Sequence, residues 1–194
     1  MSAKANQGSV SIHARNAAGR ASPSWIRKAA LPDTGAIVSL VNSAYRPSAS
    51  QRGWTHEADI LAGSRIDPAQ VTELFLRPDS VILVGHHETR LVACVHVQKT
   101  ELSSYIGMLA VHPELQGLGV GSQILTHAEQ YATSHFHSIT AVMTVIACRA
   151  ELISFYLSRG YQLTGETESY PVSARVGVPK CTDLHMSKLV KSLR

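Results

Sequence analysis

Apolar residues along this chain change their spacing in a definite order. Trp25-Ile26-Arg27-Lys28-Ala29 predicts a short strand. Ile37, Val38, Leu40, Val41 and Ala44 then repeat as one face of a helix, started by Pro32-Asp33-Thr34 and ended by Tyr45-Arg46-Pro47. Residues 47–66 lose this period and read as a loop with a short helix over Glu57 to Leu61. Asp67-Pro68-Ala69-Gln70 opens another helix, which stops near Arg77-Pro78. Next come the fully apolar strand Val81 to Val84, a turn at His86 to Arg90, a strand from Leu91 to Gln98, and a strand ending at Val111. Helical spacing returns at Val120, Ile124, Leu125, Ala128 and Tyr131. A strand from Ile139 to Ala147, a helix over 150–159, a strand from Tyr161 to Glu166, a loop over 170–179 and a final strand from Cys181 to Lys188 complete the chain. Helices, a meander, then alternating strands and helices predict an α/β (α+β) domain with a mixed sheet flanked by helices.

At 194 residues, with 44% hydrophobic and 16% charged, the chain is sized and composed for one domain with a real core. We place that domain at 24–194. Residues 1–23 hold no acid and many Ser, Ala, Asn and Gly, so they read as a basic extension, either disordered or targeting-like. No signal-peptide core is present, so the cytoplasm is the expected location, with an organelle as the alternative if 1–23 is a transit peptide. Residues 1–56 carry seven basic side chains against Asp33, a net of +6, and the remainder carries −2. No basic stripe interleaved with aromatics follows, so nucleic acid is not an expected partner. No apolar run reaches the length of a membrane span. Cys94, Cys148 and Cys181 lack metal spacing, and Cys94 and Cys148 are expected as reduced core residues of apolar strands. Ten histidines, including His86-His87 and His135-x-His137, come without a completing acid or cysteine, so no metal is expected.

The candidate chemistry begins at Gln116-Gly117-Leu118-Gly119-Val120-Gly121, between a strand closed by Pro113 and a helix. Glycines allow close approach of the backbone, and a helix start presents unpaired N–H groups and the positive end of its dipole. The pair makes a phosphate or pyrophosphate site. No lysine follows as in a P-loop, and the glycine gaps do not match the dinucleotide fingerprint. The pattern Gln/Arg-x-x-Gly-x-Gly/Ala is filled by Gln116, Gly119 and Gly121. A second segment, Phe155-Tyr156-x-x-x-Gly160-Tyr161, reads as a short helix with a glycine cap.

In this order and spacing the two motifs resemble the GNAT superfamily of acetyl-CoA-dependent N-acetyltransferases, over roughly Trp25 to Val190. The resemblance implies a sheet splayed between two parallel strands, here those ending at Val111 and near Ala147. Acetyl-CoA, with no metal, would be the cosubstrate. It would be held by Leu109, Ala110, Val111 and Arg149 along its pantetheine arm and by Gln116, Gly117, Leu118, Gly119, Val120, Gly121 and Ser122 at its pyrophosphate. The N–H near Leu109 would polarise the thioester carbonyl. Tyr156 would protonate the leaving thiolate as an amine attacks directly in a ternary complex. The chain departs from the family pattern twice. Tyr105 stands where some relatives carry a glutamate base, and Arg149 stands where others carry an asparagine touching pantetheine. The base is thus left open among Glu57, Glu101, His96, His112 and no single residue.

Such folds build the acceptor wall from the first two helices and their loop. Here that gives Arg46, Arg52, Trp54 and Glu57, with Tyr105 on the strand. Trp54 would pack the acceptor, Glu57 would attract its amine, and Arg46 or Arg52 would pair a carboxylate. Trp54 capping the core among solvated charges is the competing reading. The expected activity is acetylation of a primary amine on a small molecule, amino-acid-like, or on a protein. The alternative is a non-catalytic CoA-binding sensor or regulatory module. A homodimer stays open.

Overall fold

The computed structural model describes residues 25–51 and 53–194. The extension 1–23, the domain start at 24 and Arg52 lie outside the described residues. Seven strands form one mixed sheet in the order β1-β3-β4-β5-β6-β9-β7. They are β1 (Ile26–Lys28), β3 (Ser80–His87), β4 (Arg90–Thr100), β5 (Ser103–Val111), β6 (Thr140–Ile146), β7 (Gln162–Ser169) and β9 (His185–Ser192). All neighbours are antiparallel except β5 and β6. A separate two-stranded ribbon joins β2 (Leu61–Ala62) to β8 (Val178–Pro179). The helices are α1 (Thr34–Tyr45), α2 (Pro68–Leu76), α3 (Val120–Ser134) and α4 (Ala150–Leu157). Among the described residues no helix is long and apolar enough to cross a membrane.

The apolar run of β3 follows from burial on both faces. Leu83 packs with Ile124, Leu125 and Ala128 of α3, while Ile82 and Val84 pack with Ile37, Val41 and Val71 of α1 and α2. A strand covered by helices on both sides needs no polar alternation. The start of α2 is set by a capping box: Asp67 Oδ1 accepts from Gln70 N at 2.8 Å, and Gln70 Oε1 accepts from Asp67 N at 3.0 Å.

Three expectations are corrected. The short helix over Glu57 to Leu61 is one turn, with Leu61 N donating to Glu57 O at 2.9 Å, because Leu61 then pairs with Pro179 as a strand. The last strand starts at His185 rather than Cys181, because Asp183 takes a left-handed φ of 70° and Leu184 O turns back to Tyr170 N. Cys148 is exposed beyond the end of β6, while Cys94 is buried.

The feature that positions the site is a split in the sheet. β5 and β6 pair only where Ser103, Ser104 and Tyr105 meet Thr140, Ala141 and Val142. Beyond that point the two strands diverge. Tyr105 Oη and Thr144 Oγ1 still meet across the gap at 3.0 Å.

Candidate active site

β5 carries a bulge as it runs along the split. Its register with β4 shifts between Cys94 and His96, and Met108 adopts φ 48°, uncommon for a non-glycine residue. Past the bulge, Leu109 and Val111 turn their backbone groups away from β4. The Leu109 carbonyl accepts from Tyr45 Oη at 3.0 Å, and the Val111 carbonyl accepts from Gln116 Nε2 at 3.2 Å. In an extended strand a residue's N–H and C=O point the same way, so both N–H groups also face the split.

A first cleft of about 230 Å³ follows this strand to the glycine loop and the start of α3. Leu109, Ala110, Val111, Gln116, Gly117, Gly119, Gly121 and Ser122 line it. Gly117 and Gly119 have φ of 78° and 86°, and a Cβ on either would meet no protein atom within 4 Å. Their conformation therefore calls for glycine, and the space before them is open. Helix α3 follows Gly119 as its N-cap, with no side-chain cap bond and no acid in its first turn. Arg159 adds a cation there: its Nε donates to Ser122 Oγ at 3.0 Å, and its guanidinium lies 3.5 Å from the Phe155 ring centre. Uncapped N–H groups, a helix dipole and a guanidinium fit a pyrophosphate. Leu118 is instead exposed, and Val120 packs on the core.

Gln116 also ties this cleft to a distant loop. Its amide bridges the strand to the loop after α1, donating to Val111 O and accepting from Thr55 N at 3.0 Å. Gly53 packs so closely that a Cβ would fall 2.4 Å from Gln116 Oε1. This contact carries Trp54 onto the first cleft, where its ring lies 6.0 Å from Phe155.

A second cleft of about 220 Å³ lies on the other side of the split. Tyr105, Arg65 and Glu57 line it, with Met108, Met143 and Met186 as apolar wall and Tyr170, Pro171, Ala174 and Val176 as roof. The roof is tied down: Arg46 Nη2 and Tyr170 Oη each donate to Val176 O at 3.0 Å. Tyr45, Leu109, Arg149, Leu152 and Tyr156 line both clefts. Tyr156 is thus in the partition between them. Burial raises its phenol well above the ordinary tyrosine value, with the neighbouring Tyr45 adding to the rise and Arg149 opposing it. Burial also pushes Tyr45 up to about 12, against the nearby Arg65 charge.

Glu57 is 6% exposed and lies between two guanidinium groups. Arg46 Nη1 reaches its Oε2 at 2.6 Å, and Arg149 Nη1 reaches its Oε1 at 2.9 Å. Arg46 is spent on Glu57 and on the carbonyls of Tyr45, Gly63 and Val176. Arg149 continues to Thr55 Oγ1, which itself donates to Glu151 Oε1 at 3.0 Å. These charges form a brace, with Arg46 outside both clefts. Glu101, His96 and His112 line neither cleft. Among the described residues no group of three His, Cys, Asp or Glu is placed to hold a metal.

Arg159, Phe155, Thr55 and Arg65 had no expected role. Arg159 carried a readable signal, since the expected helix over 150–159 would put it one turn after Phe155 on the same face. Arg65 and Thr55 sit in loops without period and carried none.

The acetyltransferase (GNAT) family model matches residues 36–161. No curated protein matches the chain in sequence. Similar solved structures include a Streptococcus mutans UA159 protein at 15% identity and TM-score 0.67, covering 87% of this chain and 99% of that one. The ribosomal-protein-S18-alanine N-acetyltransferase of Escherichia coli is 15% identical with TM-score 0.64, covering 87% and 92%. The PaiA N-acetyltransferase of Thermoplasma acidophilum, solved with coenzyme A, is 14% identical with TM-score 0.65, covering 86% and 97%. The splayed sheet, the glycine loop and the family match over most of the folded chain agree: this protein belongs to the GNAT family of acetyltransferases.

Proposed function

We propose that the chain is an N-acetyltransferase that moves the acetyl group of acetyl-CoA to the primary amine of a small molecule while both are bound. The observation that carries this reading is the meeting of two clefts at Tyr45, Leu109 and Tyr156. Acetyl-CoA supplies an activated acetyl group on a thiol leaving group. In this reading, Gly117 to Ser122 and Arg159 hold the pyrophosphate, and the Val111 N–H pairs with a pantetheine carbonyl as a neighbouring strand would. The Leu109 N–H polarises the acetyl carbonyl. Trp54 covers the cofactor rather than the acceptor.

The amine enters the second cleft, whose roof and small volume favour a small acceptor over a protein chain. The C–N bond forms as the C–S bond breaks. Tyr156 gives its proton to the departing sulfur and is reprotonated from water. The ammonium proton leaves through water, because the cleft's lone carboxylate among the described residues, Glu57, is held by Arg46 and Arg149. We assign Glu57 to support rather than to proton abstraction.

The test is turnover of acetyl-CoA against a panel of small primary amines, with thiol release and acetylated product measured together. This reading expects one acetylated amine per thiol, and kcat/KM rising with pH as the acceptor amine loses its proton. Tight CoA binding without amine-dependent thiol release across the panel would overturn transfer and leave a CoA-binding module.

A further inference from the structure

One cation in the second cleft has no partner that accounts for it. Arg65 is half-buried on the cleft wall, and its guanidinium carbon lies 5.2 Å from the Tyr45 ring centre. Among the described residues no carboxylate forms an ion pair with it, whereas Arg46 and Arg149 both share Glu57. Its backbone is fixed in place. Asn42 Oδ1 accepts from Arg65 N at 2.7 Å, and Asn42 Nδ2 donates to Ile66 O at 2.9 Å. The charges lining the cleft are Arg65, Arg149 and Glu57, a net excess of one positive charge. A guanidinium with free donors on an aromatic face, inside a cleft, is suited to a planar anion.

The lining has a second chemistry. Met108, Met143 and Met186, from three different strands, also line this cleft. Methionine is flexible and polarizable, so such a lining accepts apolar groups of varied shape. The Tyr45 ring beside the guanidinium ends in a hydroxyl that donates to Leu109 O at the partition with the first cleft. A ligand lying on Tyr45 would therefore have an anionic end at Arg65, an apolar body on the methionines and a third group near Tyr156.

Resting on the transfer reading above, we infer that Arg65 is the receptor for a carboxylate on the acceptor. The substrate class is an amine that carries a carboxylate and an apolar side chain, an apolar amino acid or a close analogue. Arg65 determines specificity and takes no part in the bond exchange. Its work is to place the amine, so its loss acts on KM for the acceptor before kcat.

The probes are leucine, leucinamide, isoamylamine and phosphoethanolamine, tested as acceptors on the wild type, Arg65→Met and Arg65→Lys. The wild type is expected to favour leucine over leucinamide by about a hundredfold in kcat/KM, the scale of a lost charge-assisted pair. Arg65→Met should bring that ratio close to one through KM, with acetyl-CoA KM unmoved, and Arg65→Lys should restore part of it. A preference for phosphoethanolamine over leucine would make the anion a phosphate and overturn the carboxylate. A second readout needs no turnover: calorimetry of N-acetylleucine against N-acetylleucinamide on the CoA-loaded protein. Carboxylate-dependent binding that Arg65→Met abolishes, without any transfer, would keep the receptor and overturn the enzyme. Transfer to amines with no carboxylate preference, or an equal loss for leucine and leucinamide in Arg65→Met, would overturn the receptor and keep the enzyme.

Discussion

Arg149 Nη1 donates to Glu57 Oε1 at 2.9 Å, joining the start of α4 to a loop 92 residues earlier. Arg46 closes the other side of the same carboxylate at 2.6 Å. All three side chains are within 9% of full burial. The brace holds the roof of one cleft, through Arg46 and Val176, to the floor of the other, through Arg149 and Thr55.

Removing the charge at its centre should cost stability before it costs chemistry. Glu57→Gln leaves two buried guanidinium groups facing one neutral amide, and breaking a buried pair costs about 3–5 kcal/mol. For a domain of this size the melting temperature should fall on the order of 10 °C, read by calorimetry. A variant that melts like the wild type while its acceptor KM rises sharply would return Glu57 to the substrate site.

At the glycine loop the backbone itself is the determinant. Gly119→Val would force a branched residue to φ 86°, at a cost of about 1–2 kcal/mol. Its side chain would meet no protein atom but would enter the space before the helix start. We expect a folded variant by circular dichroism whose Kd for CoA rises at least about tenfold. A folded variant with wild-type affinity would move the phosphate site elsewhere.

A pH dependence follows from His96, which is buried against Ser80 Oγ at 2.7 Å. Burial lowers its pKa from 6.5 to about 4, with Arg77 adding to the drop and Asp79 opposing it. Above pH 6.5 both folded and unfolded forms are neutral, so nothing is lost. Between about pH 6.5 and 4 only the unfolded chain gains the proton, and stability falls with pH by up to about 3 kcal/mol. Melting temperature against pH should show that slope, and His96→Gln should flatten it. An unchanged slope in the variant would place the titrating group elsewhere.

Much of the fold and the glycine-loop cleft were legible because local rules write them. Gly117 and Gly119 stand where φ is positive, and Val120 to Ala132 keep one helical face on the core. Asp67, Pro68 and Gln70 announce α2 by capping chemistry alone. The second cleft depends on long-range contacts in loops that carry no period. Glu57 has the residue type of an amine-binding acid, and only Arg46 and Arg149 arriving from separate segments change that reading. Trp54 sits on the first cleft because Gly53 packs against Gln116, a contact between residues 63 positions apart. Arg65 stood out in no pattern, and its meaning depends on Tyr45 beneath it.

The central claim is that transfer takes place at Tyr156, in the partition between the two clefts. The most direct measurement is the single-turnover rate after mixing the acetyl-CoA complex with a saturating acceptor amine, in wild type and Tyr156→Phe. Phenylalanine keeps the ring contacts with Phe155 and Tyr161 and removes the proton. Because burial raises the Tyr156 phenol, the wild type should keep its acid form, and its rate, beyond the ordinary tyrosine range into strongly alkaline solution. The account predicts a rate about a hundred- to ten-thousand-fold lower in Tyr156→Phe, with the Kd for acetyl-CoA unchanged. A Tyr156→Phe protein that transfers acetyl at the wild-type rate would contradict it.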